Sequence, residues 1–335
     1  MMKILFLIKS LKTPSSRIRA IDLIPELKKN GIDADIEILP DSFLKRVRLF
    51  KKASSYPAVI LQKRLLNYME LKILRKSVNF LIFDFDDAIY HRNASPSISL
   101  KDYISHTRER KFKRTVLCSD MLIAANNILA GKVREIDEQK PLAVIPSSIN
   151  TVRLPVKNDY TLSSPIIIGW TGTRSTLRYL EYIRPSLEEV SKKHDFILNI
   201  VADKNIELPG INTRFTKWDE KGQFFEISQF DIGIMPLSQD PFSEGKASYK
   251  LLQYMAAGVP SVCSAVGMNN EVSGNNEFCL KASSPSEFSS QIIKLIEDDD
   301  LREEIGLKCK RLVNEQYSLT QTAKKLAGIL LKISL

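Results

Sequence analysis

The chain reads as an α/β protein of two domains, each built on a parallel sheet, and three observations predict it. A strand, a helix and a second strand fit within the first 40 residues, a βαβ unit that implies parallel pairing. The same alternation restarts near Ile166, after a polar, proline-bearing stretch over residues 152–165 that reads as a linker. A length of 335 residues is long for one hydrophobic core and comfortable for two.

The elements follow in order. Residues 3–8 form an apolar run that predicts the first strand. Ile18, Ile21, Leu23, Ile24 and Leu27 then mark a helix closed by Gly31, and residues 32–39 alternate as a second strand. The turn after the first strand lacks glycine, so the G-x-G-x-x-G dinucleotide fingerprint is absent. A helix over 43–52 mixes Phe43, Leu44, Val47, Leu49 and Phe50 with five cations. An interfacial membrane helix and a plain solvated face both fit that pattern.

Strands at 58–61 and 80–83 flank a helix at 65–76, and the second strand runs into Asp84, Asp86, Asp87 and His91. Uncompensated carboxylates at the end of a buried strand are costly. The cluster therefore reads as a hydroxyl-binding or proton-transferring site, a metal site, or a helix cap with solvated acids. A helix over 100–116 and strands at 121–124 and 143–145 complete the first half.

In the second half, a strand from Ile166 ends in Thr171-Gly172-Thr173-Arg174 before a helix over 177–192. Such a turn exposes backbone N–H groups, and Gly172 permits close approach by phosphate. Strands at 196–202 and 212–215 and a helix over 218–227 follow. Residues 230–237 are an apolar strand, and a helix over 246–257 carries Lys246 and Lys250 one turn apart near its start, with Glu244 just before. Cations beside the N–H groups of a helix start form an anion site, most naturally for phosphate; a solvated lysine face is the competing reading. Gly258 and Pro260 stop the helix, 261–265 resumes as a strand, 278–280 is another, and 285–296, 301–313 and 320–333 are helical.

Composition narrows the function classes. Hydrophobic content of 44% and charged content of 26% are those of an ordinary globular protein. No apolar run approaches the roughly 20 residues needed to span a bilayer. The opening MMKILFLIKS reads as a strand rather than a leader. Four cysteines without C-x2-C spacing suggest neither a zinc site nor a disulfide framework, which fits a reducing cytoplasm. The net charge of +10 comes without a nucleic-acid motif, so an anionic membrane face or a phosphate-bearing substrate is expected, and nucleic acid is not.

Specific strings add a resemblance. DIGIMPL from Asp231, followed by EGKASYKLLQYMAAGVPSV from Glu244, resembles the nucleotide-sugar-binding segment of GT-B-fold glycosyltransferases of the family-4 type, the glycosyl transferases group 1. That motif normally carries two glutamates eight positions apart. Here Gly245 and Gln253 occupy those positions, Glu244 is displaced by one, and the chain resembles a subset with GK-x3-K instead. IGWTGT from Ile168, VG-x-N-x-EV from Val266, SSR-x-R from Ser15 and DxDDA from Asp84 are similar to further strings of the family.

The resemblance implies two Rossmann-like domains with parallel sheets facing a central cleft. An acceptor domain would span 1–155, a donor domain 156–318, and a helix over 319–335 would return to the first domain. It implies a retaining hexosyltransferase, independent of metal and cofactor, that uses a UDP- or GDP-linked sugar. The acceptor would be a saccharide or a lipid-linked saccharide, in cell-surface polysaccharide or lipopolysaccharide synthesis. The place would be the cytoplasm, at the inner face of the membrane. Carried over residue by residue, Lys246, Lys250, Asp86 and Asp87 would be catalytic. Thr171, Gly172, Thr173, Arg174, Glu244, Ser248, Tyr249, Gln253, Gly267 and Asn269 would bind donor, and Ser16, Arg17, Arg19 and His91 acceptor. Two alternatives stay open: a GT-B-fold sugar epimerase, which would share the sheets and the diphosphate site but need no separate acceptor, and a non-catalytic nucleotide-sugar-binding protein of the same fold, because the glutamate pair is missing.

Overall fold

The computed structural model describes residues 1–93, 99–152 and 154–333. Arg153, within the expected linker, and the last two residues of the expected returning helix lie outside the described residues. The chain forms two compact units: Met1–Asn150 with Glu244–Ala247 and Tyr317–Leu335, and Thr151–Ser243 with Ser248–Gln316.

The first unit is a six-stranded parallel sheet of β1 (Met2–Ile8), β2 (Ile32–Ile38), β3 (Ala58–Gln62), β4 (Leu81–Phe85), β5 (Met121–Ala124) and β6 (Leu142–Val144), in the order β2-β1-β3-β4-β5-β6. β3 and β4 are buried throughout, as strands covered on both faces must be. The edge strand β2 alternates Asp33, Asp35 and Glu37 with apolar residues, which discourages further pairing. Its helices are α1 (Ile24–Lys29), α2 (Phe43–Lys52), α3 (Tyr68–Ser77), α4 (His106–Cys118) and α5 (Asn127–Arg134).

Two expected helices differ. The one after β1 is broken: a turn at Pro14–Ser16 passes into a π-helical turn over Arg17–Ile21 before α1 begins. The wider turn sets Ser16 and Arg19 in the interior. The expected helix over 100–116 divides into a tight turn at Leu100–Tyr103 and α4, because Ser105 adopts an extended conformation and caps α4.

The second unit holds β7 (Ile166–Gly172), β8 (Phe196–Ala202), β9 (Thr213–Lys217), β10 (Ile232–Met235), β11 (Ser261–Ser264) and β12 (Leu280–Ala282), in the order β12-β11-β10-β7-β8-β9. Counted within the unit this is 3-2-1-4-5-6, the doubly wound order of mononucleotide folds. Its longer helices are α6 (Arg178–Ser191), α7 (Gln223–Ser228), α8 (Tyr249–Ala256), α9 (Pro285–Glu297) and α10 (Asp299–Leu312). α8 starts three residues later than expected because Ser248 takes a left-handed φ of 48°, which ends the helix on its N-terminal side. Lys246 is therefore off the helix. All residues from Leu251 to Ala256 are buried, so α8 has no solvated face there.

The stretch expected as a linker is instead bound to the second unit. Buried Asp231 accepts hydrogen bonds from Lys157 Nζ at 3.1 Å and from the N–H of Ser163 and Ile167 at 3.2 and 2.8 Å. The last described element is α11 (Leu319–Ile333), whose Ala323, Leu326, Ala327 and Leu330 join Ile4, Phe6 and Leu27 in the core of the first unit.

Candidate functional site

In an open parallel sheet, ligands bind outside the carboxyl ends of the strands where the order of connection reverses. That point lies between β1 and β3 in the first sheet and between β7 and β10 in the second. The segments leaving those strands carry many of the residues singled out from sequence.

In the second unit, the strand end is organised around Lys250. Its ammonium stands 4.2 Å from the centroid of the buried Trp170 ring and donates to Thr176 Oγ1 at 2.9 Å. A Cβ at position 172 would fall 2.3 Å from the indole and 2.6 Å from Lys250 Nζ, so only glycine lets the lysine lie against the end of β7. The buried Thr171 N–H donates to Tyr254 Oη at 2.9 Å, and that hydroxyl donates to Ile234 O, which locks β7 to β10.

The expectation of exposed amides in the following turn is corrected. Thr173 N–H donates to Thr176 Oγ1 at 3.1 Å, Thr176 N–H to Thr173 O at 2.8 Å, and Arg174 N–H to Asp203 at 2.6 Å. The turn is closed on itself, with a carboxylate at one of its donors. Asp203 was missed from sequence; its signal is an acid directly after the apolar run of β8.

Several expected donor-binding residues brace the turn before α8. Ser248 donates to Asn269 Oδ1 at 2.7 Å, and the Asn269 amide donates to Ser264 O at 2.9 Å, all three residues being buried. Gly267 takes a φ of 57° in the same segment. Gln253, also buried, donates to Gln223 Oε1 at 2.8 Å, which accepts Trp218 Nε1 at 3.2 Å as well. Asp240, a second residue missed from sequence, accepts the N–H of Phe242 and Ser243 and the hydroxyls of Ser238 and Ser243. Tyr249 is half-buried and Arg174 exposed.

In the first unit, Arg19, expected to bind acceptor, is engaged by partners within the protein. Its Nε and Nη2 donate to Asp84 at 2.5–3.1 Å and its Nη1 to Ile145 O at 3.0 Å, with both side chains of the pair buried. Ser16 is fully buried and donates to Gln62 Oε1 at 3.1 Å. Arg17 is partly buried, with its Nε 3.9 Å from Asp22, and the His91 ring packs against Tyr90 at 4.7 Å.

Asp86 and Asp87 share one cation that sequence reasoning passed over. Lys63 takes a φ of 53° directly after β3, and its Nζ lies 2.7 Å from Asp86 Oδ1 and also bonds Asp87. Burial opposes ionisation of Asp87, but the charges of Lys63 and Lys246 outweigh it and hold the carboxyl below its usual range. Burial likewise works against the Lys63 ammonium, and the two aspartates more than compensate, so its pKa is raised. Asp87 is thus held as an anion rather than tuned upward as a general base.

Lys246 belongs to the first unit, as do its neighbours Glu244, Gly245 and Ala247. Asn126, the N-cap of α5, donates to Gly245 O at 3.4 Å and Lys246 O at 3.2 Å, and a Cβ on Gly245 would meet Ala88 at 2.6 Å. The expected pair of lysines on one helix turn is thereby replaced: Lys246 acts on Asp87, while Lys250 lies on Trp170. Among the described residues, no group of three or more His, Cys, Asp or Glu side chains is placed to hold a metal ion. No helix among them is long and apolar enough to cross a membrane.

Residues 167–298 match the family described as glycosyl transferases group 1. Among curated proteins, none matches the chain in sequence. Solved structures do match in fold. Sucrose-phosphate synthase from Thermosynechococcus elongatus superposes with a TM-score of 0.77 at 13% identity, over 100% of this chain and 99% of the other. Anabaena HepE, in complex with UDP and glucose, gives 0.73 at 13% identity, over 99% and 100%. A glycosyltransferase from Rickettsia africae gives 0.72 at 15% identity, over 99% and 98%. The fold is GT-B.

Proposed function

We propose that the protein is a retaining, metal-independent hexosyltransferase that moves a sugar from a UDP- or GDP-sugar to a saccharide or lipid-linked acceptor. Its setting would be the synthesis of cell-surface polysaccharide or lipopolysaccharide, at the inner face of the cytoplasmic membrane. The observation that carries the reading is the seating of Lys250 on Trp170, against Gly172 and Thr176, inside the segment that matches the glycosyltransferase family. UDP is favoured because the HepE structures hold UDP and UDP-glucose.

The chemistry gives that lysine its role. Breaking a sugar–phosphate bond leaves extra negative charge on the diphosphate, and a fixed cation in a site of low polarity stabilises it without reorganising at the moment of reaction. Trp170 and Thr176 hold the ammonium in place before substrate arrives. Asp86 and Asp87, both paired with Lys63, would accept hydrogen bonds from acceptor hydroxyls. Lys250→Ala is expected to lower turnover about a hundredfold or more with the UDP- or GDP-sugar that gives the largest thermal shift. Unchanged turnover would remove Lys250 from the mechanism, and activity lost to EDTA and restored by a divalent ion would overturn metal independence.

A membrane contact fits α2. Phe43 and Leu44 are 43% and 69% exposed at its start, and Lys45, Arg48 and Lys51 have no ion-pair partner among the described residues. Phe43→Ser with Leu44→Ser should reduce flotation with phosphatidylglycerol vesicles; equal flotation would remove α2 from the contact.

A further inference from the structure

We infer that the first unit holds a binding pocket for a phosphoryl group, so that the acceptor carries a phosphate or diphosphate rather than being a neutral saccharide. The assignment of that group to the acceptor rests on the glycosyltransferase reading; the pocket itself does not.

A cavity of about 730 Å³ is lined by Lys9, Lys63, Arg64, Arg108 and Lys111, and among the described residues no carboxylate lines it. Its walls leave the ends of β1, β3 and β4, so it spans the reversal of strand order between β1 and β3. The Lys63 charge is met by Asp86 and Asp87. Lys9, Arg64 and Lys111 have no ion-pair partner among the described residues, and Arg108 reaches Ile89 O at 3.4 Å. Several cations converging without an anion repel one another, and a bound anion removes that cost.

Two further observations point the same way. α4 opens at this cavity: its N-cap Ser105 and its early residues Thr107, Arg108 and Lys111 all line it. Cations in the first turns of a helix oppose its macrodipole, an arrangement that suits an anion bound at the same N–H groups. Independently, Gln62 lines the cavity while 1% exposed. Its Oε1 accepts Ser16 Oγ, and its buried Nε2 has no hydrogen-bond partner among the described residues. A buried N–H donor of this kind calls for an acceptor that the protein does not supply.

The excess of positive charge asks for more than one negative charge, and the forked donors of Arg64 and Arg108 suit phosphate oxygens. Neutral hydroxyls would leave those charges uncompensated. The volume admits a diphosphate with a sugar ring attached.

The test titrates inorganic pyrophosphate into the full-length protein saturated with UDP, and compares it with Arg108→Gln/Lys111→Gln; a second arm measures binding to vesicles containing phosphatidic acid. The double variant should bind pyrophosphate at least about tenfold more weakly, as expected for loss of charge-assisted hydrogen bonds, while its melting temperature and UDP-induced thermal shift are kept. Loss confined to the vesicle arm would keep the phosphoryl chemistry and assign it to a lipid headgroup. Equal binding by parent and variant in both arms, or no binding of either probe by the parent, would overturn the pocket. If neither UDP nor GDP stabilised either protein, the glycosyltransferase reading would fail, and the difference between parent and variant would still decide the pocket.

Discussion

Where strand order reverses in the first sheet, β1 and β3 lead into a cavity lined by five cations. Where it reverses in the second, β7 leads into a turn whose amides are bonded within the protein, with one lysine laid on an indole. The supporting layers differ in the same sense. The first site is backed by ions, buried Arg19 with Asp84 and half-buried Lys63 with Asp86 and Asp87. Under the second lie neutral groups, Ser248 with Asn269 and Gln253 with Gln223. Both sheets offer a site at the same topological position, so topology alone does not choose the ligand. The side chains do. The first site is lined by charge, and the second is shaped by hydrogen bonds that hold one cation in a set position.

This contrast predicts unequal costs of removing a cation. Arg19→Met should destabilise the protein by about 3–5 kcal/mol, because it strands a buried carboxylate. Burial already pushes the Asp84 carboxyl up against the pull of Arg19, so without the guanidinium it would take up a proton. Lys250→Met removes an ammonium from a ring face and should cost about 1 kcal/mol. Urea unfolding of the two variants measures the difference. The double variant Arg19→Met/Asp84→Leu should recover much of the first loss, since replacing both partners leaves no buried charge. Equal costs for the two single variants would dissolve the contrast.

How much of this was readable beforehand depends on the range of the interaction. β5 and β8 follow from their apolar runs, because burial on both faces is written locally. Gly258 marks the end of α8 through a φ of 73° that glycine adopts without strain. The role of Arg19 was hidden, since its partner Asp84 lies 65 residues away and a surface arginine and a buried one look alike in sequence. Lys63 gave no signal beyond its place after a strand, and its two aspartates follow more than 20 residues later. Lys246 was placed on α8 by periodicity, whereas Ser248 breaks the helix and Asn126, about 120 residues away, holds the backbone of Gly245 and Lys246. In the turn after β7, Gly172 was legible but the neutralising Asp203 was not, because its contact arises only when β8 lies beside β7.

The smallest expected effect tests whether the ion cluster of the first site behaves as one unit. Asp87 is held below its usual range, so its ionisation contributes stability that is present above the unfolded value of about 3.9 and is lost as pH falls through the lower folded value. Lys63 is shifted upward, so its contribution is complete below the unfolded value of about 10.4 and is lost only as pH rises through the higher folded one. Near neutral pH both contributions are present together. Lys63→Met leaves burial of Asp87 opposed by Lys246, so the carboxyl should move up and the variant should be less stable than the parent at pH 7. As pH falls below the unfolded value, the parent progressively loses the contribution of ionised Asp87, and the gap should narrow. Unfolding free energies of parent and variant from pH 7 down to about 3 measure it, the lower limit lying below the ordinary aspartate value. A gap that stays constant across that range would mean that Lys63 acts through packing of its stem, and that charge does not organise this side of the molecule.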